Sequence, residues 1–321
     1  MTPRRAAVLS LNSGIKNGKF VNLELDAAIK KYGFEDKDKS FYTCLLYGTV
    51  ERKITLDYII KKLSSTEFEK IEPLILCILE TGLYQIFYMD RVPDSAACNE
   101  ATELVKTIAE VMFDNAILRN AVRQKQSLLK QIQELKGNKG LSVKYSVPEW
   151  IVRMWEKDYG CAEDILKALC KETRGMSLRV NTLKISASEF ASKLPESLKP
   201  TVKFGTNVII NKSSNVTGLY GYNEGFFFVQ DVSSTLCASL INKDSIKSEN
   251  PVIVDTCSCP GGKSFCAAIN LGQGSTIHSF DLHENRLRLV SAGAKRLGID
   301  NLIHTKKCDG RIPDSTLFGM A

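Results

Sequence analysis

Cys257 and Cys259 stand one residue apart in residues 252–265, VIVDTCSCPGGKSF, followed by Pro260, Gly261, Gly262 and Lys263. Residues of these types could serve as a reactive thiol, as half of a metal site, or as a loop that wraps a ligand with its backbone. Cysteine-built metal sites usually show paired CxxC spacing. The ten cysteines form no such pair and the chain has three histidines, so no metal is expected. The glycine pair favours a ligand loop, because a backbone without Cβ can approach a bound group closely. Free N–H groups at the start of a following helix favour a negative group there.

Three aspartates extend the pattern. Asp255 precedes the loop, Asp281 follows 26 residues later, and Asp309 comes after that. Each closes a short apolar, strand-like run. A carboxylate at the end of the second strand can accept hydrogen bonds from both hydroxyls of a ribose. One at the end of the third can accept from an exocyclic amino group such as that of adenine. A single aspartate reads more simply as a cap; three at successive strand ends beside Gly-Gly read as a nucleoside site. GxGxxG is absent, which speaks against a dinucleotide and its pyrophosphate cradle. A nucleoside with a carboxylate and no phosphate fits better, and S-adenosyl-L-methionine is such a molecule.

The elements that must position these residues follow from periodicity. Residues 251–321 alternate strand and helix: PVIVD, GKSFCAAINL, STIHSFD, ENRLRLVSAGAKRLG, NLIHTKKCD. That alternation builds a doubly wound parallel sheet, with ligands beyond the carboxyl ends of its strands. At roughly 30 residues per strand–helix unit, two units and one further strand fit. Residues 145–250 mix short helices with strand-like runs at 177–184, TVKFGTNVIIN and GFFFVQD. Residues 1–135 show helical spacing at 4–16, 21–32, 37–51 and 55–63. A helix opened by Pro73 is apolar nearly all round and should be central. Another starts at Pro93-Asp94-Ser95. A last one, from Asn115 to about Lys136, carries basic residues, and KGNKG should end it as a cap and linker. The expected architecture is therefore multidomain: an all-α bundle over 1–140, a small α+β domain over 145–250, and an incomplete α/β, Rossmann-like core over 251–321.

The 321 residues carry a net charge of +7. Residues 115–144 hold Arg119, Arg123, Lys125, Lys130, Lys136, Lys139 and Lys144 against Glu134 alone. Such a stripe suits a polyanion such as RNA, and equally a solvated helix face. The longest apolar run, PLILCILETGLYQIFYM, contains Glu80 and Gln85 and is too short for a bilayer. No secretory signal stands at the start, and scattered thiols suit a reducing compartment. A cytoplasmic monomer without membrane contact is expected.

DTCSCPGGK resembles the cofactor loop, written D-x-C-A-A-P-G-G-K, of the NOL1/NOP2/Sun family of RNA cytosine-C5 methyltransferases. FVQDVSS at 228–234 resembles that family's entry helix, FDLHENRL at 280–287 its second motif, CDGR at 308–311 its third, and SLRVNTLK its small preceding domain. The segments LYGTVERKITLD and YQIFYMDRVPDSAACNEATELVK resemble a NusB-like RNA-binding domain, which marks the bacterial 16S rRNA branch. The resemblance implies S-adenosyl-L-methionine as cofactor and small-subunit rRNA as partner. It places the cofactor on Cys257, Ser258, Cys259, Pro260, Gly261, Gly262, Lys263, Asp281 and Asp309. The loop and Lys263 would hold the methionine end, Asp281 the ribose and Asp309 the adenine side. Arg286 and Arg311 stand close by and read equally as surface or helix-end charges. Ser258 and Cys259 replace the usual alanines.

The family's chemistry is covalent: one cysteine thiolate attacks C6 of the cytosine and a second aids release, from D-A-P-C-S-type and T-C-S motifs after the fourth and fifth strands. Thr256-Cys257-Ser258 spells T-C-S, but it lies in the cofactor loop and reads as coincidence. No catalytic residue is therefore assigned. The chain is expected to be C-terminally truncated, to leave a sheet edge and face uncovered, and to be inactive alone. The alternative function is a non-catalytic RNA-binding protein that uses the helical domain. An NAD-type oxidoreductase is disfavoured.

Overall fold

A computed structural model describes residues 1–17, 21–109, 116–171, 175–211, 215–312, 314–317 and 319. The chain divides into two compact units, Met1–Lys171 and Glu172–Ala321.

The first unit is helical: α1 Pro3–Asn17, α2 Val21–Tyr32, α3 Asp36–Glu51, α4 Lys53–Leu63, α5 Pro73–Tyr88, α6 Asp94–Leu104, α7 Ala116–Arg123, α8 Lys125–Glu134, α9 Gly137–Tyr145, α10 Glu149–Tyr159 and α11 Ala162–Cys170. α5 is the central element, as its apolar surface requires. Pro73 sits in its first turn, residues 77–86 are all buried, and it packs against α1, α3, α4, α6 and α7. A Cβ on Gly48 would come within 2.0 Å of the Tyr84 ring, so glycine lets α3 press its backbone onto that ring. Residues 116–145 depart from expectation in two ways. The basic helix is two helices, interrupted at Gln124 with φ −103° and ψ 9°; its expected start at Asn115 and the end of the helix before it lie outside the described residues. KGNKG is not a linker but the start of α9. Gly137 supplies a positive φ of +73°, and a Cβ on Gly140 would lie 2.7 Å from the Leu135 carbonyl carbon. Thr55 donates to the Val143 carbonyl at 2.5 Å, pinning α9 to α4.

The second unit holds β1 Gly175–Val180, α12 Ala187–Lys193, β2 Thr201–Lys203, β3 Asn207–Asn211, β4 Phe227–Val229, α13 Val232–Ser239, β5 Val252–Asp255, α14 Gly262–Leu271, β6 Thr276–Asp281, α15 Glu284–Leu297 and β7 Ile303–Lys307. The first four strands make an antiparallel sheet in the order β2-β3-β1-β4; the last three make a parallel sheet in the order β5-β6-β7. The strand expected at 177–184 stops at Val180, because Asn181 folds the chain back, its carbonyl accepting from the N–H groups of Lys184 and Ile185. Phe190, Phe227, Leu178 and Val208 fill the first sheet's core. α14 and α15 cover one face of the parallel sheet through Ile253, Ile277 and Ile303. On its other face the His278 and His304 rings stand 5.7 Å apart, Val252 and Val254 are half-buried, and Lys306 pairs with Asp314 at 2.6 Å.

A buried polar seam joins the two sheets. Arg179 of β1, 2% exposed, donates to Asn270 Oδ1 of α14 at 2.9 Å. Asn181 donates to the Leu297 carbonyl at 2.9 Å. Arg296 of α15 donates to the Tyr222 and Phe227 carbonyls at 2.7 and 3.0 Å.

Candidate cofactor site

β5 delivers Asp255 to the mouth of the parallel sheet. Its carboxylate accepts from the Ser264 hydroxyl at 2.7 Å and from the Cys257 N–H at 3.3 Å, so it clamps both ends of the loop. Inside the loop the Ser258 N–H donates to the Phe280 carbonyl of β6 at 2.8 Å, and the Gly261 N–H donates to the Ser258 carbonyl at 2.6 Å. The Cys259–Pro260 peptide is cis. Gly261 has φ +110°, and a Cβ there would lie 2.4 Å from the Phe265 ring. Only glycine meets both conditions. α14 starts at once, so the N–H groups of its first turn have no carbonyl one turn back and face outward.

The loop borders a cleft of about 240 Å³ lined by Gln230, Asp231, Asp255, Ser258, Cys259, Pro260, Gly262 and Lys263, with Cys257 at its edge. Cys257, Pro260 and Lys263 are exposed, Ser258 and Gly261 buried. Gln230 and Asp231 were not singled out from the sequence, although Asp-Val-Ser-Ser is a capping pattern. Asp231 caps α13, accepting from the Ser233 N–H at 2.8 Å, and the Ser233 hydroxyl and N–H hold its carboxyl below the ordinary value. Gln230 is buried; its Oε1 accepts from the Thr235 hydroxyl and the Cys266 thiol, each at 3.0 Å. A Cβ on Gly262 would lie 3.1 Å from Gln230 Nε2.

Asp281, at the end of β6, is 6% exposed. Its Oδ1 accepts from the His283 N–H at 2.9 Å, and Arg286 Nη1 lies 3.7 Å from Oδ2. Burial would raise its pKa, but the His283 N–H, the Cys259 thiol and the Arg286 charge outweigh that and hold it low. Cys259 shifts the other way. Burial, then the hydrogen bond to Asp281 and its charge, push the thiol up to about 11.

Asp309 does not end β7 but stands two residues beyond Lys307. Arg311 grips it in a fork, Nε to Oδ1 at 2.9 Å and Nη2 to Oδ2 at 2.6 Å, and that pairing lowers its pKa. Neighbours of Asp309, Cys308, Gly310 and Arg311, border a second cleft of about 310 Å³ with Thr256 and Phe280. The structure thus brings the loop beside the end of β6, through the Ser258 N–H on the Phe280 carbonyl, and sets Gly310, next to Asp309, near Thr256. The two clefts flank Thr256 and Cys257.

The residues fit a nucleoside that carries an amino-acid tail. Gly261 lets the loop turn over the Phe265 ring into α14, the first-turn N–H groups of α14 suit a carboxylate, and an acid whose pKa is held low stands at the end of the second strand. Among the described residues no group of three or more His, Cys, Asp or Glu could hold a metal ion, and no helix is long and apolar enough to cross a membrane.

In the first unit the basic stripe is partly neutralised. Lys125 pairs with Asp94 at 3.5 Å, Lys130 with Glu134 at 3.9 Å and Lys144 with Glu163 at 3.1 Å. Arg119, Arg123, Lys136 and Lys139 are exposed.

The NusB family matches residues 1–123, and the Methyltr_RsmF/B-like, ferredoxin-like domain matches residues 147–215. The fold is shared with the crystal structure of PH0851, at a TM-score of 0.69 and 21% identity, over 97% of this chain and 70% of that one. A probable ribosomal RNA small subunit methyltransferase B of Bacillus subtilis is 29% identical over 92% of this chain and 66% of its own length. The corresponding protein of Synechocystis is 31% identical over 94% of this chain and 68% of its own length. The chain spans about two thirds of the length of these relatives. With that identity over that length, and with both of its first two domains matched in order, the chain belongs to the ribosomal RNA small subunit methyltransferase B family.

Proposed function

We propose that this chain carries the methyl-donor site and RNA-binding regions of an enzyme that methylates C5 of a cytosine in small-subunit (16S) rRNA, in the cytoplasm, with S-adenosyl-L-methionine as donor. The observation that carries the reading is the loop that Gly261 turns directly into α14, beside Asp281, whose carboxyl is held low. When bound, the cofactor supplies an electrophilic methyl group. Lys263 and the first-turn N–H groups of α14 would hold its carboxylate. Asp281, kept ionised by the His283 N–H and Arg286, would accept from the ribose hydroxyls. Asp309 would take the adenine amino group after Arg311 turns aside. Residues 1–140, with Arg119 and Arg123, and residues 145–250 would hold RNA, and residues 251–321 the donor.

The loop cysteines do not supply the nucleophile in this reading. A thiolate is needed for attack on C6, and the Cys259 thiol, at about 11, stays protonated at neutral pH. Thr256-Cys257-Ser258 belongs to the donor loop. We assign donor and RNA binding to these 321 residues and no nucleophile to the loop cysteines.

Titration calorimetry of the chain tests this. S-adenosyl-L-methionine should bind, NAD should not, and Asp281→Asn should weaken binding at least tenfold. Binding of NAD alone would sink the reading, and so would RNA affinity with no affinity for the donor, which would favour a purely RNA-binding protein. Methyl transfer to rRNA by the 321-residue chain, lost on substitution of Cys257 or Cys259, would overturn the exclusion of the loop cysteines.

A further inference from the structure

The β2–β3 hairpin turns at Phe204 and Gly205, with φ +53° and +65°, and the Thr206 N–H closes it onto the Lys203 carbonyl at 3.3 Å. A two-residue turn with positive φ at both positions favours Asn-Gly or Gly-Gly. Phenylalanine is strained there, and packing does not offset the strain, since the side chain is 62% exposed. The ring stands at the lip of a cleft of about 320 Å³, between this turn and α13.

Arg179 lies in the wall of that cleft, together with Asn270, Thr206, Thr235 and Ser239. Its guanidinium, 2% exposed, donates to the Thr206 carbonyl at 3.2 Å and to Asn270 Oδ1 at 2.9 Å. Both acceptors are neutral. A buried cation is ordinarily paired with an anion, and none of the ion pairs among the described residues supplies one for Arg179. A strained, exposed ring beside a buried cation without a counter-charge, in a cleft lined with hydroxyl and amide groups, matches one nucleotide of a single strand. Bases stack on exposed aromatic faces irrespective of sequence, and a guanidinium takes a phosphate. Exposed Lys203, next to the ring, adds positive charge for the flanking backbone.

We propose that this cleft is a subsite for one nucleotide of single-stranded RNA, with its base on Phe204 and its phosphate toward Arg179. The inference rests on the reading that the chain binds RNA, and it names where one unit of that RNA sits.

Phe204→Gly separates the ring's two roles, because glycine relieves the backbone while removing the stacking face. The variant should melt no lower than wild type, yet bind a short single-stranded oligoribonucleotide about tenfold more weakly by fluorescence anisotropy. Phe204→Tyr should restore the affinity. In wild type, cytidine monophosphate should bind more tightly than cytidine, because the phosphate faces Arg179, and Phe204→Gly should weaken both about equally; equal affinities of the two in wild type overturn the subsite. Unchanged RNA affinity in Phe204→Gly overturns the subsite while leaving RNA binding intact. A fall in melting temperature parallel to the fall in affinity makes the ring structural and also overturns it. Absence of RNA binding by wild type removes the broader reading and this one with it.

Discussion

The Cys259 thiol and the Asp281 carboxylate hold each other across the turn that leaves β5, and their pKa values move apart: the carboxyl goes down and the thiol up to about 11. The cysteine is therefore chemically quiet at neutral pH.

Alkylation by iodoacetamide, followed peptide by peptide by mass spectrometry, checks this. Cys259 should react slowly at pH 8 and faster as pH rises toward 11. Asp281→Asn removes the negative charge, lowers the thiol's pKa and should speed the reaction at pH 8.5. Unchanged kinetics in that variant would show that the acid does not govern the thiol.

Gly261→Ala meets a positive φ and the Phe265 ring together. It should cost about 1–3 kcal/mol of stability and weaken donor binding at least tenfold. Gly160→Ala is the control: its φ is +66° but nothing lies within 4 Å of the added Cβ, so about 1 kcal/mol is expected. Equal losses in thermal melts would contradict the claim that Gly261 is crowded.

Glu80 lies buried in α5, 2.5 Å from Lys53 Nζ. Burial outweighs the lysine's pull and pushes its carboxyl up to about 8. A group raised in the folded state stabilises fully below its unfolded pKa, and that contribution is lost as pH rises through the folded value. Melting temperature should therefore fall between pH 5 and pH 9, and Glu80→Gln should flatten the profile. A flat wild-type profile would show that the pair stays ionised throughout.

In the proposed donor site the fork between Arg311 and Asp309 would compete with an adenine amino group for the same carboxylate. Arg311→Ala should leave donor affinity unchanged or raise it up to about threefold, whereas Asp309→Asn should lower it about fivefold, on the scale of one charge-assisted hydrogen bond. Calorimetry of the two variants decides; loss of affinity in Arg311→Ala would make the arginine itself a ligand.

Arg119→Glu with Arg123→Glu should weaken single-stranded RNA binding and reduce its salt dependence by about 0.7 in log–log slope for each phosphate that is no longer neutralised. An unaltered slope would leave the stripe a solvated helix face.

The strand–helix alternation after Pro251 and the Gly-Gly turn were legible in the sequence because short-range rules fix them: a continuous apolar run, a glycine that must adopt positive φ, a helix directly after it. The helical period likewise marked α1 to α5. What stayed hidden depends on distant neighbours. KGNKG looked like a linker because its glycines suit a helix end; its place in α9 follows from the close approach of Gly140 to Leu135 and the hydrogen bond of Thr55 to Val143. The break at Gln124 carries no proline or glycine to announce it. Gln230 became visible as a wall of the cleft only through Thr235 and Cys266, and Asp309 looked free because the fold of Arg311 back onto it is set by a turn.

The seam of Arg179, Asn181 and Arg296 has a consequence for recombination. Its hydrogen bonds tie the antiparallel sheet to α14 and α15, so the two sheets cannot be exchanged between relatives as separate modules without breaking matched buried partners. A chimaera that keeps residues 1–171 and takes everything after them from another member leaves the seam whole. One that is spliced at residue 250 must bring compatible partners for all three side chains from both parents, which makes the antiparallel and parallel sheets a single unit of inheritance.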